Sequence, residues 1–308
     1  MLLVITIIFG RLSVANISRV INAALAISAL TSSTIFDLSK TYFMLSGIAG
    51  VNPKVATIGA VTFAKFAVQI DLQLEFDGRE IPSTWRTGYV PMGATSHKSY
   101  PQTLYGSEVF ELNNDLRQIA ISFAKTASLE DSAAAAKNRA LYSDSPDGIY
   151  HAATLDPSIV EGDVTASNVF FHGSLLCESF EKVVKLYTSG KAKYYMTAQE
   201  DTAIIAALLR AALQKQVDFS RIILMRAGSN FDRSHSSSEP PSIPFVKDYG
   251  GFALACRNLY HSGLKVVQGI LDGWSTKFVS GIEANNYIGD VFGSLGGVVD
   301  FRPRKDIP

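Results

Sequence analysis

Thr41-Tyr42-Phe43-Met44-Leu45-Ser46-Gly47-Ile48-Ala49-Gly50-Val51-Asn52-Pro53 is the stretch on which the reading of the chain turns. A short aromatic and aliphatic run that ends in two glycines and then Asn-Pro is the pattern of a buried strand whose carboxyl end opens into a tight loop. Open α/β sheets bind small molecules at such ends. Glycine at 47 and 50 lets the backbone come close to a ligand, because no Cβ stands in the way. Gly47, Ile48, Ala49 and Gly50 are therefore the first candidate binding segment, and a strand that merely turns is the plain alternative.

Before this strand, Leu2 to Phe9 reads as a first buried strand rich in Val, Ile and Phe. Ile17, Val20, Ile21, Ala24, Leu25, Ile27 and Leu30 then recur at helical spacing, with Asn16 or Ser18 as the N-cap. The opening is thus a β-α-β unit. After it, Val68, Ile70, Leu72, Leu74 and Phe76 alternate with polar residues, which predicts one half-buried strand from Val68 to Asp77. Gly78 to Tyr105 shows no period and reads as a long loop. Helices are expected at Leu112–Thr126, Glu130–Leu141, Ser174–Thr188, Thr197–Gln214 and Phe252–Trp274, the last with Cys256, Leu259, Gly263, Val266, Val267 and Ile270 inward. Asn168–Phe171 reads as a strand end, Ile222–Met225 as a short buried strand, and Ser234–Pro244 as a flexible loop. Strands alternating with helices predict a mostly parallel sheet covered on both faces.

Composition narrows the function. Apolar residues make up 47% and charged residues 18% of 308, so the chain can bury a large core and is too apolar to be disordered. Lys plus Arg equal Asp plus Glu at 28 each, which leaves no overall basic field for nucleic acid or an anionic membrane. The one basic cluster is Arg302, Arg304 and Lys305. The longest apolar run, Met1 to Gly10, is roughly half the length of a membrane-spanning helix, and it lacks the basic start and cleavage pattern of a signal peptide. Cys177 and Cys256 lie far apart in helical patterns, as buried free thiols do. His97, His151, His172, His235 and His261 fall at no spacing that builds a metal site on one helix, and no metal is expected. The chain has no Gly-x-Ser-x-Gly, Gly-x-Gly-x-x-Gly or Walker motif, which sets aside esterase, dehydrogenase and nucleotide-hydrolase chemistry.

Three polar clusters sit at element boundaries: Phe170-Phe171-His172-Gly173, Thr197-Ala198-Gln199-Glu200-Asp201, and Arg226-Ala227-Gly228-Ser229-Asn230-Phe231-Asp232-Arg233. Each has a simple explanation. Thr197 and Glu200 are spaced as a capping box, Asp232 and Arg233 as a solvated ion pair, and the two phenylalanines could be core.

Taken in order, the clusters resemble the nucleoside phosphorylase and nucleosidase superfamily, and more closely its fungal purine nucleoside permease family. The phrases that carry the resemblance are Tyr42 to Pro53, Trp85-Arg86-Thr87-Gly88-Tyr89, Tyr195 to Asp201, Asn230 to Arg233 and Gly250-Gly251-Phe252, within a span from Ile21 to Ile282. The resemblance implies a single domain over residues 1–308, with a twisted, mostly parallel sheet between layers of helices. It also implies a purine nucleoside ligand (inosine, guanosine or adenosine), no cofactor, and a cell-surface or secretory location, with homo-oligomerisation left open. Carried over residue by residue, Phe170 stacks on the base, Glu200 binds the ribose hydroxyls, Gln199 stands where a Met is usual, and Asn230 bonds to the purine edge and aids its departure. His172, Asp232 and Arg233 complete the implied binding set. These roles suit the groups: a carboxylate accepts from a cis-diol, and a flat ring covers a flat base.

The departures point away from phosphate. Leu45 and Ile48 stand where phosphorolytic members hold it with Arg and Ser, which favours hydrolysis over phosphorolysis. Asn16-Ile17-Ser18-Arg19 replaces a glycine-rich run, with Arg19 as a substitute anion contact, and the family's leading strand and loop are expected to be missing. Uptake without cleavage and a degenerate binding remnant are the competing readings.

Overall fold

The computed structural model describes residues 2–7, 19–236 and 250–302. The elements in chain order are β1 (Leu2–Ile7), α1 (Val20–Thr31), β2 (Tyr42–Val51), β3 (Val61–Ala64), β4 (Phe66–Gln69), β5 (Gln73–Glu75), β6 (Tyr89–Pro91) and β7 (Val109–Glu111). They continue with α2 (Asn114–Ala124), α3 (Ala133–Ala140), β8 (Ile159–Glu161), β9 (Asp163–Ala166), α4 (Ser174–Tyr187), β10 (Tyr194–Ala198), α5 (Asp201–Leu213), β11 (Ile222–Phe231), α6 (Gly251–Asp272) and β12 (Gly289–Asp290). Among the described residues no helix is long and apolar enough to cross a membrane.

The sheet is α/β as expected, and β2 lies at its centre. Phe43 and Leu45 point into the core beneath α1 and α5, while Tyr42 and Met44 point into the core beneath α2 and α6. β11 repeats the division, with Ile222 and Leu224 on one side and Ile223, Met225 and Ala227 on the other. Two strands apolar on both faces, with helices over each face, make the layered α/β arrangement.

Strand direction then places the strand ends. β1, β2 and β11 run parallel, as do β4, β9 and β10. The two blocks join where β10 meets β2 antiparallel, through one pair, Met196 and Val51, close to the carboxyl end of each strand. The ends of β2, β9, β10 and β11 therefore come together inside the sheet.

Several expectations change. The alternating run from Val68 to Asp77 is not one strand: β4 stops at Gln69, and β5 pairs with β6 in a separate two-stranded ribbon. Val68 and Ile70 are buried, whereas Leu74 and Phe76 are exposed. The break falls at Asp71, whose carboxylate accepts from Asn168 N at 2.6 Å and Ser167 Oγ at 3.2 Å. Thr197 belongs to β10, so the expected helix starts four residues later and no capping box forms. On α1 the inward face is Ala23, Ile27 and Thr31, while Ile21 and Leu25 face outward. The expected caps Asn16 and Ser18, together with Phe9, Ile17 and most of the Ser234–Pro244 loop, lie outside the described residues. Leu259, Gly263, Val266 and Ile270 are buried on α6, as their spacing predicts, whereas Cys256 and Val267 are only partly buried; both cysteines are free, and only Cys177 is fully buried.

α6 packs against β11 so closely that a Cβ at Gly251 would lie 2.1 Å from the carbonyl oxygen of Ser229. Gly251→Ala should therefore destabilise the fold toward the upper end of the ~1–3 kcal/mol typical of overpacking. Urea unfolding of both proteins checks this, and an unchanged midpoint would refute the close approach.

Candidate functional site

β2 and β11 pair from Phe43 with Ile222 to Val51 with Phe231, and the register slips between Gly228 and Asn230. The slip makes a bulge, with Ser229 as the extra residue, and bulges re-aim the side chains beside them. Asn230 is thereby set opposite Gly50. Its Oδ1 accepts from Ser229 Oγ at 3.0 Å, and its Nδ2 donates to the Phe231 carbonyl at 3.1 Å. Gly50 N–H donates to Thr197 Oγ1 at 2.8 Å. A Cβ on Gly50 would lie 3.2 Å from that oxygen and 3.4 Å from Asn230 Nδ2, so glycine here permits β2, β10 and β11 to close on one another.

Beneath this junction lies Arg226, which is 2% exposed. Its guanidinium pairs with both oxygens of the fully buried Asp201 and donates from Nη1 to the Ile48 carbonyl at 3.3 Å. Nη2 also stands 3.8 Å from Glu200 Oε2. Burial opposes the arginine charge, but Asp201 and then Glu200 outweigh it and hold the group above its ordinary value. Glu200 is 4% exposed, and its other oxygen accepts from the Arg19 backbone N–H at 3.2 Å. This carboxylate faces one cation and one amide, and it makes no helix cap.

Arg19 joins Glu200 to the aromatic residue. Its guanidinium carbon lies 5.0 Å from the centre of the Phe170 ring, and its Nη1 donates to the Asn168 carbonyl at 3.4 Å. It holds φ 79°, a conformation that favours glycine. Phe170 is 38% exposed, and the loop before it is anchored by Asp71.

His172 and Gln199 also carry buried polar atoms. Both ring nitrogens of His172 and Nε2 of Gln199 are buried without a hydrogen-bond partner among the described residues. Burial pushes the His172 pKa down; Asp232 opposes that shift and Arg233 adds to it, so the imidazole is held neutral. Asp232 and Arg233 are not a solvated pair: they are 1% and 0% exposed. Arg233 donates to Asp232 from Nε at 2.7 Å and Nη2 at 3.0 Å, and Tyr194 Oη donates to the same carboxylate at 2.5 Å.

The structure thus gathers Gly47 to Gly50, Glu200 and Asn230 around one junction and links Phe170 to Glu200 through Arg19. It sets Asp232 and Arg233 deeper, with almost no accessible surface for a ligand. Sequence reasoning placed Arg226, Asp201 and Thr197 in the polar clusters without pairing them with these residues, and it missed Asp71. An arginine directly after the apolar run Ile222–Met225 was the available signal, because a charge in such a place needs a buried counter-charge.

A family model described as purine nucleoside permease matches residues 13–283. A Candida albicans protein of that name is 39% identical over 287 residues, which cover 91% of this chain and 69% of the relative. A Schizosaccharomyces pombe relative described in the same terms is 36% identical over 262 residues, 82% of this chain and 74% of its own. Among solved structures, a 5′-methylthioadenosine/S-adenosylhomocysteine nucleosidase from Neisseria meningitidis, in complex with methylthio-immucillin-A, overlaps 82% of this chain and 78% of its own. The identity is 16% and the TM-score 0.44.

Removing Asp201 would leave Arg226 buried beside Glu200 alone. Asp201→Ala should destabilise the protein by about 3–5 kcal/mol, whereas the double change with Arg226→Met should cost much less. Chemical denaturation of the three proteins tests this, and equal losses in the single and double variants would show that the pair is not what holds β11 to α5.

Proposed function

Because the chain belongs to the purine nucleoside permease family, we propose that it binds purine nucleosides where β2, β10 and β11 meet, and cleaves their N-ribosidic bond with water. The observation that carries this reading is the Glu200 carboxylate: it is 4% exposed, tied to Arg19 and Arg226, and linked through Arg19 to an exposed aromatic ring. A buried carboxylate held this way accepts hydrogen bonds from a cis-diol and stabilises positive charge on the sugar as the base departs. Phe170 offers a stacking face for the base, and Asn230 offers one donor and one acceptor to its edge. Gln199 Nε2 and the His172 ring nitrogens supply further polar atoms without partners among the described residues. Gly47 to Gly50 form the floor, and the missing Cβ at Gly50 lets Thr197 and Asn230 close over it.

Water is favoured over phosphate as the acceptor of the ribosyl group. Leu45 is wholly buried in the core, and Ile48 presents an apolar side chain. Uptake without cleavage is the second reading, and the names of the Candida albicans and Schizosaccharomyces pombe relatives support it. Incubating the purified protein with inosine, with and without phosphate, separates the readings. Free hypoxanthine without phosphate is the expected result. Base released only with phosphate would overturn hydrolysis, and saturable binding with no release would favour uptake.

Glu200→Ala should weaken inosine binding by about 1.5–3 kcal/mol and leave hypoxanthine binding nearly unchanged, because only the nucleoside carries the diol. Calorimetry with the two ligands measures the ratio, and an unchanged ratio would remove Glu200 from the sugar site. Asn230→Asp should move preference from inosine toward adenosine by about 2 kcal/mol, since a carboxylic acid can give N7 the proton that an adenine leaving group needs. Side-by-side turnover of both nucleosides tests this, and equal effects on the two would mean that Asn230 does not face the base.

A further inference from the structure

The Asp232–Arg233 pair is more elaborate than a structural contact needs to be. Asp232 N–H donates to the Val51 carbonyl at 3.0 Å, and the Asp232 carbonyl accepts from Gly173 N–H at 2.9 Å and from Cys177 Sγ at 3.3 Å. Its carboxylate takes the Tyr194 hydroxyl and two nitrogens of Arg233. The Arg233 carbonyl accepts from Tyr142 Oη at 2.7 Å, and the Tyr142 ring lies 4.1 Å from that of Phe231. One dipeptide thereby fastens the end of β2, the loop before α4, the start of β10 and the end of β11.

Each fastened segment carries a group of the proposed site within a few positions: Gly50 before Val51, His172 before Gly173, Thr197 after Tyr194, and Asn230 before Asp232. Burying two charges is a poor way to gain stability, because apolar residues of similar volume usually do as well or better. What an ion pair adds is direction, since a bidentate arginine fixes both partners in one geometry. Capacity is also left over here. Among the described residues, Arg233 Nη1 and both ring nitrogens of His172 are buried without a partner, and Asp232 and Arg233 are the charges acting on that imidazole.

We propose that Asp232 and Arg233 are positioning residues for purine recognition, acting through Asn230 and His172 without touching the ligand themselves. This rests on the reading of the site given above. The pair sets the angle at which the end of β11 presents Asn230 and at which the loop after β9 presents His172. The neutral imidazole then faces the base with one donor and one acceptor.

The test compares wild type, Tyr194→Phe and the double variant Asp232→Leu/Arg233→Met. For each, the unfolding midpoint is measured, together with calorimetric affinities for hypoxanthine and inosine. Wild type binds both ligands. The double variant should unfold near the wild-type midpoint and lose at least about tenfold in affinity for hypoxanthine and inosine alike, as expected when supporting groups let recognition groups drift. The nucleoside-to-base ratio should stay constant, because the Glu200 carboxylate is held by Arg226 and the Arg19 backbone and not by this pair. Tyr194→Phe removes one bond to the carboxylate and should lose affinity in the same ratio, by a smaller factor. A folded double variant that binds hypoxanthine as wild type does would overturn the proposal. If the double variant does not fold, Tyr194→Phe decides: loss of affinity at an unchanged midpoint supports positioning, and a lowered midpoint at unchanged affinity overturns it. Absence of hypoxanthine and inosine binding in wild type would remove the reading of the site and this inference with it.

Discussion

The buried guanidinium of Arg226 is the constraint from which much of this architecture follows. A charge held inside a sheet must find hydrogen-bond acceptors and a counter-charge there, and Arg226 finds both in the Ile48 carbonyl and Asp201. Those contacts tie β11 to β2 and to the first turn of α5. Asp201 is well placed for a second reason, because a carboxylate in the first turn of a helix faces the positive end of its dipole. With the start of α5 fixed, Glu200 has little freedom left, and its carboxylate comes to rest between Arg226 and the backbone of Arg19.

A second polar chain supports the other side. Thr202 on α5 bonds to Gln69, Gln69 to Asp71, and Asp71 to the backbone of Asn168. Gln69 and Asp71 belong to the face that an alternating strand would have turned to water. Here they are partly buried and tied to α5 and to the loop after β9. The same chain therefore explains why the strand ends at Gln69 and why the loop leading to Phe170 is held.

The sequence was most legible where a single physical demand dominates. The apolar run from Tyr42 could only be a strand covered on both faces, and its register against β11 bears this out. Most of the inner face of α6 followed from spacing alone: Leu259, Gly263, Val266 and Ile270 are buried. It was least legible where local pattern and tertiary pairing compete. Thr197 and Glu200 match a capping box, but Thr197 satisfies Gly50 across two strands and Glu200 answers the Arg226 guanidinium and the Arg19 backbone. Ile21 and Leu25 fit a helical stripe, yet α1 packs on α5 through the small residues Ala23 and Thr31 and through Ile27. Asp232 and Arg233 looked like surface residues because adjacent opposite charges usually are, and only the convergence of four segments buries them.

The single residue pair that joins the two parallel blocks gives the sheet a seam. Elsewhere the ladder bonds of β2 and β11 run over most of their length, but between β2 and β10 the backbone supplies one bridge, helped by Gly50 to Thr197 and by Asn52 to the Tyr195 carbonyl. Local opening of a protein begins where such bonds are fewest. Amide protons around Gly50 and Asn52 should then exchange with solvent faster than those in the middle of β2. Any molecule that contacts both blocks would act as a staple across the seam, so its binding energy would also be felt as slower exchange and added resistance to unfolding.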